Sequence, residues 1–470
     1  MKRNKIMATA SVAAFLVVSG AVHANDVSDA VAGAQPVSIA APASVPTVTG
    51  GSDDSLTFHG VTLYGTIDAG YAYQTHGTPF NKDYSSGLEY SIQKNSNKSI
   101  SAFAPNGLGQ SNIGLKGETE LVDGLSGIFK LEGGFDPLSL RLANGPASLV
   151  SNNGVSPKNQ SSNGDSSRAG QIFNSAAYAG VKSKDYGTLT YGRQVTLQAD
   201  NVIKYDPNTV SCAFSVIGCS STAQGIGDKQ DGRLDSSLKY TESIGGVRVG
   251  VLYQFAGKQI EFLGADGVSG SAGELAVGSD FGNFSADLIV SHKNDAISAA
   301  ALAVPGNSLS ATVSDNTSFA LMGKYKAGAA TWYAGYEHIR FANPSSPLSP
   351  GVSDVGGYTL SAVNNVAYTQ NKILDWYWAG LKYAVTPKLN LTGTYYGYSQ
   401  NSYSGNGCAN ATLTTCSGTF DAESFVATYG LTKHWSVYGG AMWSQAHNGV
   451  ASGYLYTSTV TTMVGGRLTL

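Results

Sequence analysis

The chain has 470 residues and a mass of 48.6 kDa, room for two or three ordinary domains or one large β structure. Charged residues make up only 13%, about half the roughly 25% usual in soluble domains, which argues against an ordinary soluble enzyme and against a disordered chain. The formal net charge is −3, so no basic surface recommends nucleic acid, and 58 Gly with 26 Tyr suit a β structure that meets two solvents.

Taken in chain order, residues 1–24 read as a signal peptide. Lys2, Arg3 and Lys5 form a basic start, an apolar stretch runs from about Ile6 to Val18, and Val22-His23-Ala24 resembles a small-residue cleavage site. An anchor helix suits them less well, because the apolar stretch is short and broken by Ser and Thr. Residues 25–55 are rich in Ala, Val, Ser and Pro and show no strand alternation, as expected of an extended leader. It is either a passive tether or a segment that enters the lumen or guides insertion. No later stretch reaches the roughly 18 apolar residues of a spanning helix, so any crossing of a membrane is made by strands.

From Leu56 the pattern changes to period two. In Val61-Thr62-Leu63-Tyr64-Gly65-Thr66-Ile67-Asp68-Ala69 the odd positions are apolar or small and the even ones mostly polar. The same alternation recurs in Asn112–Glu118 and Leu389–Tyr395, giving each segment one face for an apolar medium and one for water. Short turns are expected near Val122–Gly124, Ser183–Gly187, Ser243–Gly246, Ser279–Asn283, Lys326–Ala329, Thr386–Lys388 and Thr432–His434. Between them lie longer polar stretches near 74–110, 136–170, 194–232, 256–272, 293–315, 342–371, 400–418 and 445–456. These connections imply about sixteen strands, with both ends of the barrel domain (56–470) on the short-turn side. The fold class is all-β: a transmembrane antiparallel β-barrel with short periplasmic turns and long external loops. The segment Ile373–Val385 carries aromatics in both parities, so its facing stays open. Residues Trp332, Trp376, Trp378, Trp435 and Trp443 all fall in strands, as interfacial girdles would place them. A β-sandwich would need more outward charge, and no repeat of 20–50 residues supports a solenoid.

Cys212 with Cys219 and Cys408 with Cys416 lie close in Ser-, Gly-, Thr- and Asn-rich stretches, where local loop disulfides form readily in an oxidising compartment. A metal site is disfavoured, because no His or further Cys stands at zinc-like spacing. No nucleophile elbow, zinc-protease helix or phosphate loop is present, and His59, His76, His292, His338, His434 and His447 are scattered. No enzyme activity and no cofactor are expected.

The segments Val61-Thr62-Leu63-Tyr64-Gly65, Gly114-Leu115-Lys116-Gly117-Glu118, Tyr178-Ala179-Gly180-Val181, Tyr191-Gly192-Arg193 and Gly232-Arg233 occur in an order that resembles the Gram-negative general porins. That resemblance implies a trimeric barrel of sixteen strands in the outer membrane, passing ions and small hydrophilic solutes through a lumen narrowed by the third external loop. It also implies a constriction with Arg and Lys on the wall against acids on that loop. At the family's wall-arginine positions this chain has Asn112, Ser175 and Arg233. The loop acid is Asp206, Glu132 matches an acidic lumen position, and Lys130 shares the lumen parity of Asn112, Lys116 and Glu132. Arg193 has the parity of the apolar face and matches an arginine that receives a neighbouring subunit's loop; a strand-end arginine past a bulge at Gly192 is the alternative. Leu470 stands where the family usually ends in Phe.

With two wall arginines replaced, the expected ion preference is near neutral or mildly for cations, and Arg233→Ser is expected to move it further towards cations. The competing functions are a solute-specific channel, for example for a sugar, a surface adhesin or receptor barrel, and a barrel enzyme.

Overall fold

The structure, a computed structural model, describes residues 56–79, 90–142, 147–161, 172–217, 232–258, 268–349, 354–355 and 358–470. The expected signal peptide (1–24) and the leader (25–55) lie outside them.

Period-two segments become the staves of one closed barrel. Its strands are β1 (Val61–Gly77), β2 in two halves (Lys98–Pro105 and Ser111–Val122), β3 (Leu125–Phe135), β4 (Ala176–Ser183), β5 (Gly187–Val195), β6 (Arg233–Ile244), β7 (Val247–Gln254) and β8 (Ala272–Phe281). The second half comprises β9 (Phe284–Ala300), β10 (Ser308–Ala327), β11 (Ala330–Ala342), β12 (Lys372–Ala384), β13 (Leu389–Gln400), β14 (Gly418–Gly430), β15 (Trp435–Asn448) and β16 (Ser458–Thr469). Each pairs antiparallel with the next, and β16 returns to β1 with Thr469 opposite Thr66 and Thr461 opposite Gln74. Closure leaves no open edge among the barrel strands, which a sheet in lipid requires.

All seven expected short turns are present, and the long connections alternate with them. Two expected loops are shorter than the composition suggests. The stretch 74–110 contains the first half of β2, and 293–315 is mostly strand, because β9 runs to Ala300 and β10 starts at Ser308. Both stretches are rich in Ser, Ala and Asn, so alternation between small residues left no readable pattern. A register shift between Lys293 and Ala296, with Asp295 at φ 53°, further breaks the period.

The outward face carries Leu63, Ile67, Tyr71, Ile113, Leu275, Val290, Leu321, Phe425 and Val464, all exposed. Such a band suits hydrocarbon rather than water. Near the short turns, outward aromatics include Tyr240, Phe281, Phe284, Tyr325, Trp332, Tyr383, Tyr429 and Trp435, with Phe129 on β3 and Tyr191 on β5 at a similar distance from their turns. The girdle expectation fails for two tryptophans. Trp376 and Trp378 point inward and are buried, while their neighbours Tyr377 and Tyr383 take the outer face of β12. They are core residues, because a loop inside the barrel packs on them.

Cys408 and Cys416 form the expected bridge in the seventh loop. Cys212 is disulfide-bonded as well, and its expected partner, Cys219, lies outside the described residues.

Candidate functional site

The described part (196–217) of the third external loop, L3 (residues 196–232), enters the lumen rather than standing outside it. Thr196 caps helix α1 (Leu197–Tyr205) by accepting the Ala199 amide at 3.0 Å, and Glu274 on β8 accepts the Leu197 amide at 2.5 Å. Asp200 in the first turn and Lys204 in the last complement the helix dipole. Leu197, Ala199, Val202 and Tyr205 are buried.

Beyond the helix the chain turns at Asp206. Its carboxylate accepts the Tyr396 hydroxyl at 2.6 Å, the Val210 amide at 2.6 Å and the Asn208 amide at 3.2 Å. Burial pushes this carboxyl above its ordinary value, and the Tyr396 hydroxyl and the two amides pull it back. Asn208 donates to Thr394, Tyr396 and Ser424 on β13 and β14, and the Trp378 indole donates to the Tyr205 carbonyl at 3.1 Å. Phe214 and Ile217 then pack with Trp376, Trp378, Tyr396 and Tyr438 in one apolar cluster. L3 therefore plugs the β12–β15 side of the lumen and narrows the rest.

The sequence-derived constriction residues are brought to the lumen side, but most are not open charges. Asp206 is 2% exposed, Arg233 4% and Glu132 3%. Arg233 donates its Nε to the Ser175 carbonyl at 2.7 Å, so Ser175 contributes backbone, not a hydroxyl in the channel. Glu132 accepts the Tyr64 hydroxyl at 2.9 Å and pairs with Lys130 at 3.0 Å. Asn112 is buried and donates to the Gln110 carbonyl at 3.1 Å. Asn112, Lys116, Lys130 and Glu132 do share the lumen face, as parity required: Lys116 stands opposite Lys130, and Asn112 opposite Gly134. Arg193 sits at an irregularity in the β5–β6 pairing, where Ser236 has φ 48°. Its guanidinium pairs with Asp235 at 2.5 Å and donates to the Asn174 carbonyl at 2.6 Å, so alternation does not describe its environment.

Residues that sequence reasoning did not select carry most of the accessible charge. Below the C-terminus of α1, Lys204 pairs with Asp287 at 2.8 Å, and Arg248 pairs with Asp287 at 2.9 Å and Asp280 at 2.5 Å. Lys239 pairs with Asp200, and Lys182 with Glu118 at 3.0 Å. Lys324 on β10 reaches the Lys204 carbonyl at 3.5 Å and lies over the Tyr205 ring, 5.7 Å from its centre. Lys382 on β12 lies two residues short-turnward of Gly380, against which Pro207 packs. Lys116 on β2 lies 5.5 Å from the centre of the Tyr64 ring on the adjacent strand β1. Among the described residues Lys116, Lys324 and Lys382 make no ion pair. Even parity alone marks all three as inward; nothing in the sequence says that they stand apart from the acids. Asp206 and Glu132, which the near-neutral or cation-favouring expectation treated as open lumen charges, are buried and bonded, whereas Lys116, Lys324 and Lys382 lack a paired acid among the described residues.

Residues 8–449 match the profile of the Gram-negative porins. An outer-membrane porin protein of Bordetella pertussis is 27% identical over 198 residues, 42% of this chain and 43% of that protein, so the match spans less than half of the relative. Among solved structures, an anion-selective porin from Comamonas acidovorans shares 19% identity over 87% of this chain and 99% of its own, with a TM-score of 0.57. OmpT of Vibrio cholerae in a trimer form shares 15% over 87% and 99%, with a TM-score of 0.53. At these identities the two structures bear on the fold alone.

Proposed function

The chain belongs to the Gram-negative porin family, an outer-membrane barrel, and on that premise we propose that it forms a water-filled channel for passive diffusion of ions and small hydrophilic solutes. The observation that carries this reading is L3, tied across the lumen by Asp206 and Trp378 while Lys116 and Lys130 face the lumen from β2 and β3. A narrowed aqueous path lined by fixed charge filters by size and by sign, without a covalent step. Residues 1–24 direct export, and residues 25–55 serve as a periplasmic tether.

The oligomer is a homotrimer in this reading. The support is the likeness in fold to OmpT of Vibrio cholerae in a trimer form. Arg193 is satisfied by Asp235 within its own chain, so it supports the interface from behind rather than by reaching across it.

Purified protein in a planar bilayer is expected to give stable conductance steps in groups of three. A barrel that never conducts contradicts the channel, and single ungrouped steps contradict the trimer alone.

A further inference from the structure

Strand β2 is interrupted between Pro105 and Ser111, and the interruption is wrapped around one carboxylate. Asp68 on β1 is fully buried and accepts three successive backbone amides: Gly107 at 3.1 Å, Leu108 at 3.0 Å and Gly109 at 3.2 Å. It also accepts the Tyr438 hydroxyl at 2.6 Å, and Arg467 lies 3.8 Å away. Successive amides converging on one anion form a nest, here filled by the protein's own side chain. The Asp68 backbone joins in, donating to Ser111 Oγ at 3.0 Å and accepting the Asn106 amide at 2.8 Å. Asn106, at φ 62°, accepts the Ser111 amide at 2.7 Å and closes the excursion.

The excursion does not end at the wall. The Gly107 carbonyl accepts the Ala213 amide at 3.0 Å and the Ser211 hydroxyl at 2.6 Å, both from the far limb of L3. Tyr438 meets Phe214 edge-on, with ring centres 6.2 Å apart. Two routes therefore run from Asp68 to L3, one through the Gly107 peptide and one through the Tyr438 ring. Only glycine fits at 107, since a Cβ there would lie 2.2 Å from the Tyr438 hydroxyl oxygen.

We propose that Asp68 is a positioning residue for the channel: by holding the inward excursion 106–110, it fixes the far limb of L3 and so sets the width of the constriction. The inference rests on the channel reading above. Asp206 ties L3 to β13, and Asp68 ties it to the β15–β2 side; a loop held at one end only would sweep the lumen. Asp68 touches no passing solute, and its effect is carried entirely by L3.

The test pairs two readouts on Asp68→Asn, an isosteric change that places an amide donor against amide donors. Backbone hydrogen exchange is followed peptide by peptide, and single-channel current is recorded beside it. The expected result is loss of protection confined to peptides covering 106–111 and 211–217, with the strands still protected, and replacement of a steady open level by flicker. Tyr438→Phe, which removes only the hydroxyl, is expected to show the same local loss in milder form, and it carries the test should Asp68→Asn not fold. Unchanged exchange in both segments, or a uniform loss over all strands, overturns the proposal, the second because Asp68 would then merely stabilise the barrel. Exchange does not depend on conduction. If the unmodified protein fails to conduct, the channel reading falls while the Asp68 tether is still decided by exchange.

Discussion

Replacing Lys324 and Lys382 together by Gln is expected to remove most of the channel's discrimination in favour of anions. Both lysines lie immediately short-turnward of L3, and neither makes an ion pair among the described residues, unlike Lys204, Arg248 and Lys239. Unit charges interact by roughly 332/(εr) kcal/mol, so at about 8 Å and an effective ε near 40 each lysine contributes roughly 1 kcal/mol to a passing anion. That corresponds to about a fivefold local enrichment per charge before salt screens it. The paired residues contribute far less, because each cation there sits beside a carboxylate. Reversal potentials in a salt gradient should therefore shift towards cations by several-fold in permeability ratio for the double variant. Arg233→Ser is the contrasting control. Arg233 is buried against the Ser175 carbonyl, so its loss should disturb the junction of L3 with β6 and leave selectivity little changed. A large selectivity shift on Arg233→Ser with none for the lysine pair would reverse this assignment of the filter.

Asp206→Ala is expected to release the turn of L3 and enlarge the channel. The variant takes one acceptor away from three donors: the Tyr396 hydroxyl and the Val210 and Asn208 amides. Hydrogen bonds to a charged partner contribute roughly 1.5–3 kcal/mol each, partly offset by the cost of keeping the carboxylate buried. A net loss of about 3 kcal/mol falls on the loop alone, because no barrel ladder passes through Asp206. Single-channel conductance should rise, and larger neutral polymers should enter the channel, while the heat resistance of the folded barrel is kept. Unchanged conductance and size limit would show that the apolar contacts of Phe214 and Ile217 hold L3 without the carboxylate.

The barrel was legible because lipid on one side and water on the other impose a period of two on most of each strand. The alternation around Ile67 and Asp68, and the rhythm of short and long connections, were enough to count strands. Legibility failed where small residues occupy both faces, as in Lys98–Pro105 and around Ala300, and where a loop covers the inner wall. Trp376 and Trp378 look like girdle residues until L3 lies on them. The candidate site was less legible for a related reason. Parity marks an inward position, but burial depends on which loop packs there, so Asp206, Glu132 and Arg233 were read as open charges when they are structural ones. Asp68 looked like one more lumen-facing polar residue. Only the break in β2, invisible in a Gly- and Asn-containing stretch, reveals three amides aimed at it.

The central claim is that accessible lumen charge is basic, set by Lys116, Lys324 and Lys382 rather than by Arg233 and the buried acids. The most direct measurement is the reversal potential of the unmodified channel in a gradient of potassium chloride, whose ions have nearly equal mobility. The account requires a potential on the chloride side of zero that weakens as salt is raised and the lysines are screened. A potential on the potassium side would contradict it.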